Sequence, residues 1–192
     1  MSKPKLLLHI CCAPDEVYVV HSMHDAFELH CFFCNPNIQP EAEYIKRLEE
    51  ARAVAEKYGV GFTADEYVPD EWIERVEKPW GHTPEAGERC NHCFDIRLER
   101  TARFCKEVLG WTHFTSVLSM SPKKRIEMID RAGAQAAKQF GLVYEPYNFK
   151  KKDGYLNSIK LSKAYGLYRQ DYCGCLLSKA EREERKRRSK MK

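Results

Sequence analysis

Short apolar runs alternate with longer amphipathic stretches along this chain. Residues 5–10 (KLLLHI) are apolar almost throughout, as expected of a buried first strand. A helix is predicted over 16–27, entered through Pro14 and Asp15, since proline near a first turn and an acid at a helix N-terminus both favour a start. Residues 28–33 (ELHCFF) read as a second strand, followed by the loop NPNIQP and a helix over 41–58 that stops at Gly59. Residues 61–65 give a third strand and 70–77 a short helix, before a polar loop at 78–89. The strongest helical period runs over 91–109, with Phe94, Leu98, Ala102, Cys105 and Leu109 on one face. A strand at 112–118, a helix at 122–140 with Ile126, Ile129, Ala136 and Phe140 inward, and a strand at 142–145 complete the alternation. Residues 155–192 read as mostly helical, interrupted at YCGC, with a fraying basic tail after 185.

Strands alternating with long crossovers imply a layered α/β domain with a parallel sheet. The expected organisation is one domain over 1–192, with an α/β core at 1–150 and a helical C-terminal segment at 151–192. Such sheets collect ligands beyond the carboxyl ends of their strands. Cys11 and Cys12 stand at that position after the first strand.

Composition sharpens this reading. The chain has 192 residues, 43% hydrophobic and 31% charged, which excludes wholesale disorder. No apolar run approaches the roughly 20 residues of a membrane span, and the N-terminus lacks a convincing secretory signal. The expected setting is cytoplasmic, with no membrane partner. Nine cysteines are then many, and in a reducing compartment they point to metal ligands or redox groups. The net charge of +4 is uneven: KKR at 123–125, KKK at 150–152 and RKRRSKMK at 185–192 are blocks that either bind phosphate backbones or sit solvated.

Three cysteine groups stand out: Cys11-Cys12, Cys90-Asn-His-Cys93 and Cys173-Gly-Cys175. C-x-x-C spacing lets one helical turn aim two sulfurs at one centre, and a helix N-terminus favours the thiolate that metals need. Zinc and iron–sulfur clusters both accept four thiolates. Adjacent side chains diverge in extended backbone, which suits a wide cluster better than a single ion. Cys173 and Cys175 could form a readily reduced disulfide or supply further ligands. Asp15 offers an oxygen ligand or a proton, with Tyr172 in reserve as proton donor. This inventory exceeds four ligands, so a second iron or an open position for substrate is expected. Cys31 and Cys105 read as core, Cys34 as a doubtful member of the site, His9 as a buried hydrogen-bonded residue and His92 as solvent-facing. No Gly-rich phosphate loop occurs, which argues against ATP and NAD.

With LLLHICCAPD, CNPNIQPEAEYIKRLEE, GERCNHCFDIRLERTA, FTSVLSMSPKKR and NFKKKDGYLNSIKLSKAYGLYRQDYCGC in this order, the chain resembles the QueH-type epoxyqueuosine reductases over nearly its whole length. The resemblance implies a nucleotide α-hydrolase-like α/β domain whose phosphate loop is replaced by the cysteine pair. It implies a cobalamin-independent enzyme of the last step of queuosine synthesis, removing the epoxide oxygen from epoxyqueuosine in the tRNA anticodon loop. The implied cofactor is an iron–sulfur cluster, expected as [4Fe-4S], with a possible additional iron. The family's cysteine positions fall on Cys11, Cys12, Cys90, Cys93, Cys173 and Cys175, and its acid on Asp15. Cys34 departs from the pattern, where an aromatic is expected. Lys150, Lys151, Lys152, Arg169 and the tail after Arg185 are candidate tRNA contacts. An external electron donor and a monomeric state complete the expectations. A zinc-stabilised RNA-binding module without catalysis and a metal-free thiol oxidoreductase are the competing readings.

Overall fold

The computed structural model describes residues 2–191. At its centre lies β1 (Lys5–Ile10), in which every residue after Lys5 is buried. It pairs in parallel with β2 (Glu28–Phe33), in a register from Lys5 opposite Glu28 to Ile10 opposite Phe33. On its other side Leu7, Leu8 and His9 face Phe114, Thr115 and Ser116 of β4 (His113–Ser116). β3 (Gly61–Ala64) and β5 (Val143–Tyr144) form the edges, giving a five-stranded parallel sheet of order β3-β2-β1-β4-β5. The order reverses between β1 and β4, which opens a crevice beyond their carboxyl ends.

Helices cover both faces, so a strand in the middle of the sheet lies in a mostly apolar interior. α1 (Ala13–Met23) packs against α2 (Glu41–Lys57) and α7 (Gly154–Ala164), while α5 (Glu88–Glu107) packs against α6 (Ile126–Phe140). Right-handed crossovers put the first group on one face and the second on the other. Gly133 of α6 lets that helix approach the sheet, because a Cβ there would lie 2.5 Å from the Tyr144 ring. Among the described residues no helix is long and apolar enough to cross a membrane.

The strands fall close to their predicted positions, and the differences at helix ends shape the crevice. α1 starts at Ala13, because extended Cys12 is its cap and Pro14 fits the first turn; it ends at Met23, where Ala26 and Phe27 turn back onto the Met23 carbonyl. α5 starts at Glu88, three residues before the predicted 91, so Cys90 lies in its first turn. Pro69–Trp80 is one helical run, made of α3 (Pro69–Trp72), a π-turn (Ile73–Glu77) and α4 (Lys78–Trp80), longer than the predicted 70–77. β4 gives way to a 3₁₀ turn (Val117–Met120), in which the Leu118 amide donates to the Ser116 hydroxyl, and α6 begins only at Ile126. Residues 121–125 are therefore a loop at the crevice. The expected fraying after 185 is not seen: α8 (Leu176–Lys190) continues, held by Glu181–Arg185 and Glu184–Arg188 pairs one turn apart. Lys192, the last residue of the predicted basic tail, lies outside the described residues.

Leu8 is fully buried in the central strand, whereas Val143 on the edge is 45% exposed. Leu8→Ala is therefore expected to cost about 2–5 kcal/mol in urea denaturation, and Val143→Ala less than about 1 kcal/mol.

Candidate active site

The end of β1 builds the first half of the site. Cys11 and Cys12 are buried, with their sulfurs 3.8 Å apart, and Cys11 Sγ lies 3.6 Å from Asp15 Oδ2. Donor atoms of Cys11, Cys12 and Asp15 all fall within 4.8 Å of one another, so this trio could hold a metal ion. Lys124, whose side chain is 12% exposed, brings Nζ to 3.8 Å from Cys11 Sγ and 3.9 Å from Asp15 Oδ2. A hydrogen bond from Cys12 holds the Cys11 thiol well below its ordinary range, helped by the charges of Lys124, Arg97 and Arg47, and Cys12 is pushed up in turn. Burial, with the neighbouring Cys11 thiolate, raises the Asp15 carboxyl to about 7.

The second half comes from α5 and the C-terminal segment. Cys90 accepts the Ala86 amide at 3.3 Å, and Cys93 packs with Cys175 among Trp72, Val76 and Ile96. Burial, then the neighbouring Cys93 and Cys173, push Cys90 up to about 12; burial and Cys173 push Cys175 to about 11. The loop NPNIQP joins the two halves. Asn35 Nδ2 donates to the Ile10 carbonyl at 2.9 Å, and the Gln39 amide donates to the Gly174 carbonyl at 3.0 Å. Gly174 needs to be glycine for this, since a Cβ would come within 2.8 Å of Asn37 Nδ2. A cavity of about 230 Å³ opens here, lined by Cys11, Asp15, Lys124, Arg169, Tyr172 and Cys173, among others.

Buried cations surround these sulfurs. Arg97, 1% exposed, donates to Asn35 Oδ1 at 2.6 Å and to the Cys34 carbonyl at 3.4 Å, and meets no carboxylate at ion-pair distance among the described residues. Burial opposes its charge, and the sulfurs of Cys93, Cys11, Cys173 and Cys34 around it favour that charge against the cost. Arg47, 2% exposed, pairs with Glu43 at 2.7 Å and donates to the carbonyls of Cys173 (2.8 Å) and Tyr172 (3.3 Å). Lys124 is likewise kept charged against burial by Cys11, Cys173 and Asp15. An uncompensated guanidinium in the interior is costly. Thiolates held by a metal would supply the missing negative charge, so the donor set and its surroundings fit an anionic thiolate–metal group.

The remaining predicted residues distribute as follows. Arg169 and Tyr172 reach the cavity wall, but the Tyr172 hydroxyl is spent on the Gln39 carbonyl at 2.8 Å and its ring faces Arg47 at 5.1 Å. Lys150 Nζ donates to the Lys124 carbonyl at 3.4 Å, while Lys151 and Lys152 are exposed on the turn before α7. All nine cysteines are free thiols in this structure. Cys34 is buried and donates to Asp65 Oδ2 at 3.0 Å, and Cys105 donates to the His113 carbonyl at 3.6 Å. His9 is buried between the Ser116 hydroxyl (2.7 Å) and the Cys34 carbonyl (3.1 Å). His92 is partly exposed but stacks on Trp80 at 4.6 Å. Sequence reasoning missed Arg47, Arg97, Lys124 and the buried Glu16. Arg47 left a signal, because it shares the inward face of α2 with Tyr44, Ala51 and Val54. Lys124 was hidden inside a basic block that reads as surface.

The chain has relatives among known proteins. The family model described as epoxyqueuosine reductase QueH matches residues 6–181, which spans all six cysteines of the three groups. Similar proteins named epoxyqueuosine reductase QueH include one from Acinetobacter baylyi, 40% identical over 91% of this chain and 80% of its own length. Another from Thermotoga maritima is 37% identical over 94% of this chain and 93% of its own length. A third from Streptococcus pyogenes serotype M1 is 35% identical, covering 91% and 70%. Among solved structures, the predicted subunit of a tRNA methyltransferase from Methanocaldococcus jannaschii superposes with a TM-score of 0.52 at 12% identity, over 80% of this chain and 74% of that one. That likeness concerns the fold alone, a three-layer α/β domain with a five-stranded parallel sheet. By family match and by identity over most of its length, the chain belongs to the epoxyqueuosine reductase QueH family.

Proposed function

We propose that the chain is an iron–sulfur-dependent reductase that converts epoxyqueuosine in the tRNA anticodon loop to queuosine. Its family is one of oxidoreductases, which leaves the non-catalytic zinc module without support. The reaction cleaves both C–O bonds of the epoxide, joins the two ring carbons by a double bond, and releases the oxygen as water after uptake of two electrons and two protons. The observation that carries the iron–sulfur reading is Arg97, a buried guanidinium facing thiols instead of a carboxylate. Cys11, Cys12, Cys90 and Cys93 would hold the cluster, and Asp15 an additional iron. When bound, the metal supplies one-electron transfer and Lewis acidity toward the epoxide oxygen.

The chain's own residues do the rest. Asp15 stands at the cavity wall either as the additional iron's carboxylate ligand or, with its carboxyl near 7 in metal-free protein, as a proton donor. Cys173, on the same wall as Cys11, with Cys175 one residue beyond glycine, forms the redox-active pair. The substrate base is splayed out of its loop into the cavity, while Arg169 and the lysines at 150–152 grip phosphates around it. The electrons come from an external donor.

Cys90→Ser protein, purified without oxygen, is expected to lose most of its iron and its reductase activity; iron and activity both retained would refute the ligand assignment. Neutralising Lys150, Lys151 and Lys152 to Gln is expected to weaken tRNA binding several-fold and to flatten its salt dependence by about 0.7 log units per lost phosphate contact; an unchanged salt slope would remove that patch from the interface. In metal-free protein Asp15 keeps its proton to about 7, against 3.8 in an unperturbed carboxyl. The folded state therefore holds the proton that the unfolded state has released, and Asp15's stabilising contribution, full below about pH 4, is lost as pH rises toward 7. Between those limits Asp15→Asn should remove on the order of 4 kcal/mol of pH dependence, measured by denaturation of both proteins across that range.

A further inference from the structure

The loop at residues 121–125 sends a single cation into the thiol site. Its backbone is fixed at Lys124, whose amide donates to the Ser121 carbonyl at 3.3 Å and whose carbonyl accepts Lys150 Nζ at 3.4 Å. The side chain then runs along the cavity wall to the gap between Cys11 and Asp15. Lys123, Arg169 and Arg182 also line the cavity, but Arg182 points its charge at Asp171, 3.8 Å away, and Lys123 and Arg169 are exposed. Among the described residues Lys124 is the one cation of this lining that contacts Cys11 and Asp15 of the trio. A thiol and a carboxylate do not exhaust an ammonium with three donors, so Lys124 can serve a third oxygen in the cavity.

We propose that Lys124 is a catalytic residue whose ammonium receives the epoxide oxygen as its C–O bonds break. This role rests on the function proposed above. Opening the three-membered ring drives electron density onto oxygen, which becomes alkoxide-like before it is protonated and leaves as water. An ammonium already oriented in a half-open cavity, its own side chain 12% exposed, stabilises that charge without reorganising, and partial exclusion of water strengthens the interaction. The two electrons come from the external donor and the two protons end on the departing oxygen; Lys124 contributes charge and is unchanged at the end.

The test compares wild type with Lys124→Met, Lys124→Gln and Lys124→Arg, purified anaerobically, with dithionite as reductant and tRNA carrying epoxyqueuosine as substrate. Four quantities are read: iron per chain, the visible absorption spectrum, tRNA affinity and the single-turnover rate at saturating tRNA. The two neutral variants should keep wild-type iron, spectrum and affinity while losing about 100-fold in rate, and Lys124→Arg should recover about tenfold of that loss. A neutral variant within about threefold of wild type in rate, a loss confined to tRNA affinity, or loss of iron from both neutral variants would overturn the role. Wild type unable to reduce the substrate would instead overturn the functional reading, and this role with it.

Discussion

Positive charge buried against sulfur organises this molecule. Arg97, Arg47 and Lys124 reach the interior from three different elements, α5, α2 and the loop before α6, and converge on thiols from three separate stretches of chain. Taking three cations out of water is expensive unless anions answer them. One carboxylate, Glu43, answers Arg47, and Asp15 partly answers Lys124; for Arg97 the thiols are what remain. The fold therefore favours the deprotonated form of Cys11 before any metal arrives, while burial holds Cys12, Cys90 and Cys93 toward the thiol.

The sheet makes that convergence possible. A buried central strand ends at the reversal of strand order, where the crossovers diverge and leave room for a ligand. Cys11 and Cys12 occupy that end, and extended Cys12 hands the chain directly into α1. The NPNIQP loop then fastens the strand end to the C-terminal segment through Asn35 and Gln39, so residues more than a hundred positions apart share one wall. Arg47 adds its own hydrogen bonds to the Cys173 and Tyr172 carbonyls, which fix that segment against α2.

Much of this was legible from the sequence. Apolar runs bounded by polar loops located the five strands, because a parallel strand covered on both faces has little choice but to be apolar. The C-x-x-C and the doublet announced themselves by spacing. Helix ends were less visible: the earlier start of α5 depends on Gly87 as its cap, and the late start of α6 on the 3₁₀ turn after Ser116. Lys124 and Arg97 were opaque for a different reason. A lysine in a basic block and an arginine in an amphipathic helix look solvated until tertiary packing closes over them. Tyr172 reads as a free phenol in sequence, yet its hydroxyl donates to a carbonyl 133 residues away.

The account stands on iron bound by these cysteines. Metal and acid-labile sulfide analysis of anaerobically purified wild-type protein, with its visible spectrum, tests it most directly. Several irons per chain, matching sulfide and a brown chromophore are predicted. Colourless protein containing stoichiometric zinc, or fully active without any metal, would contradict it.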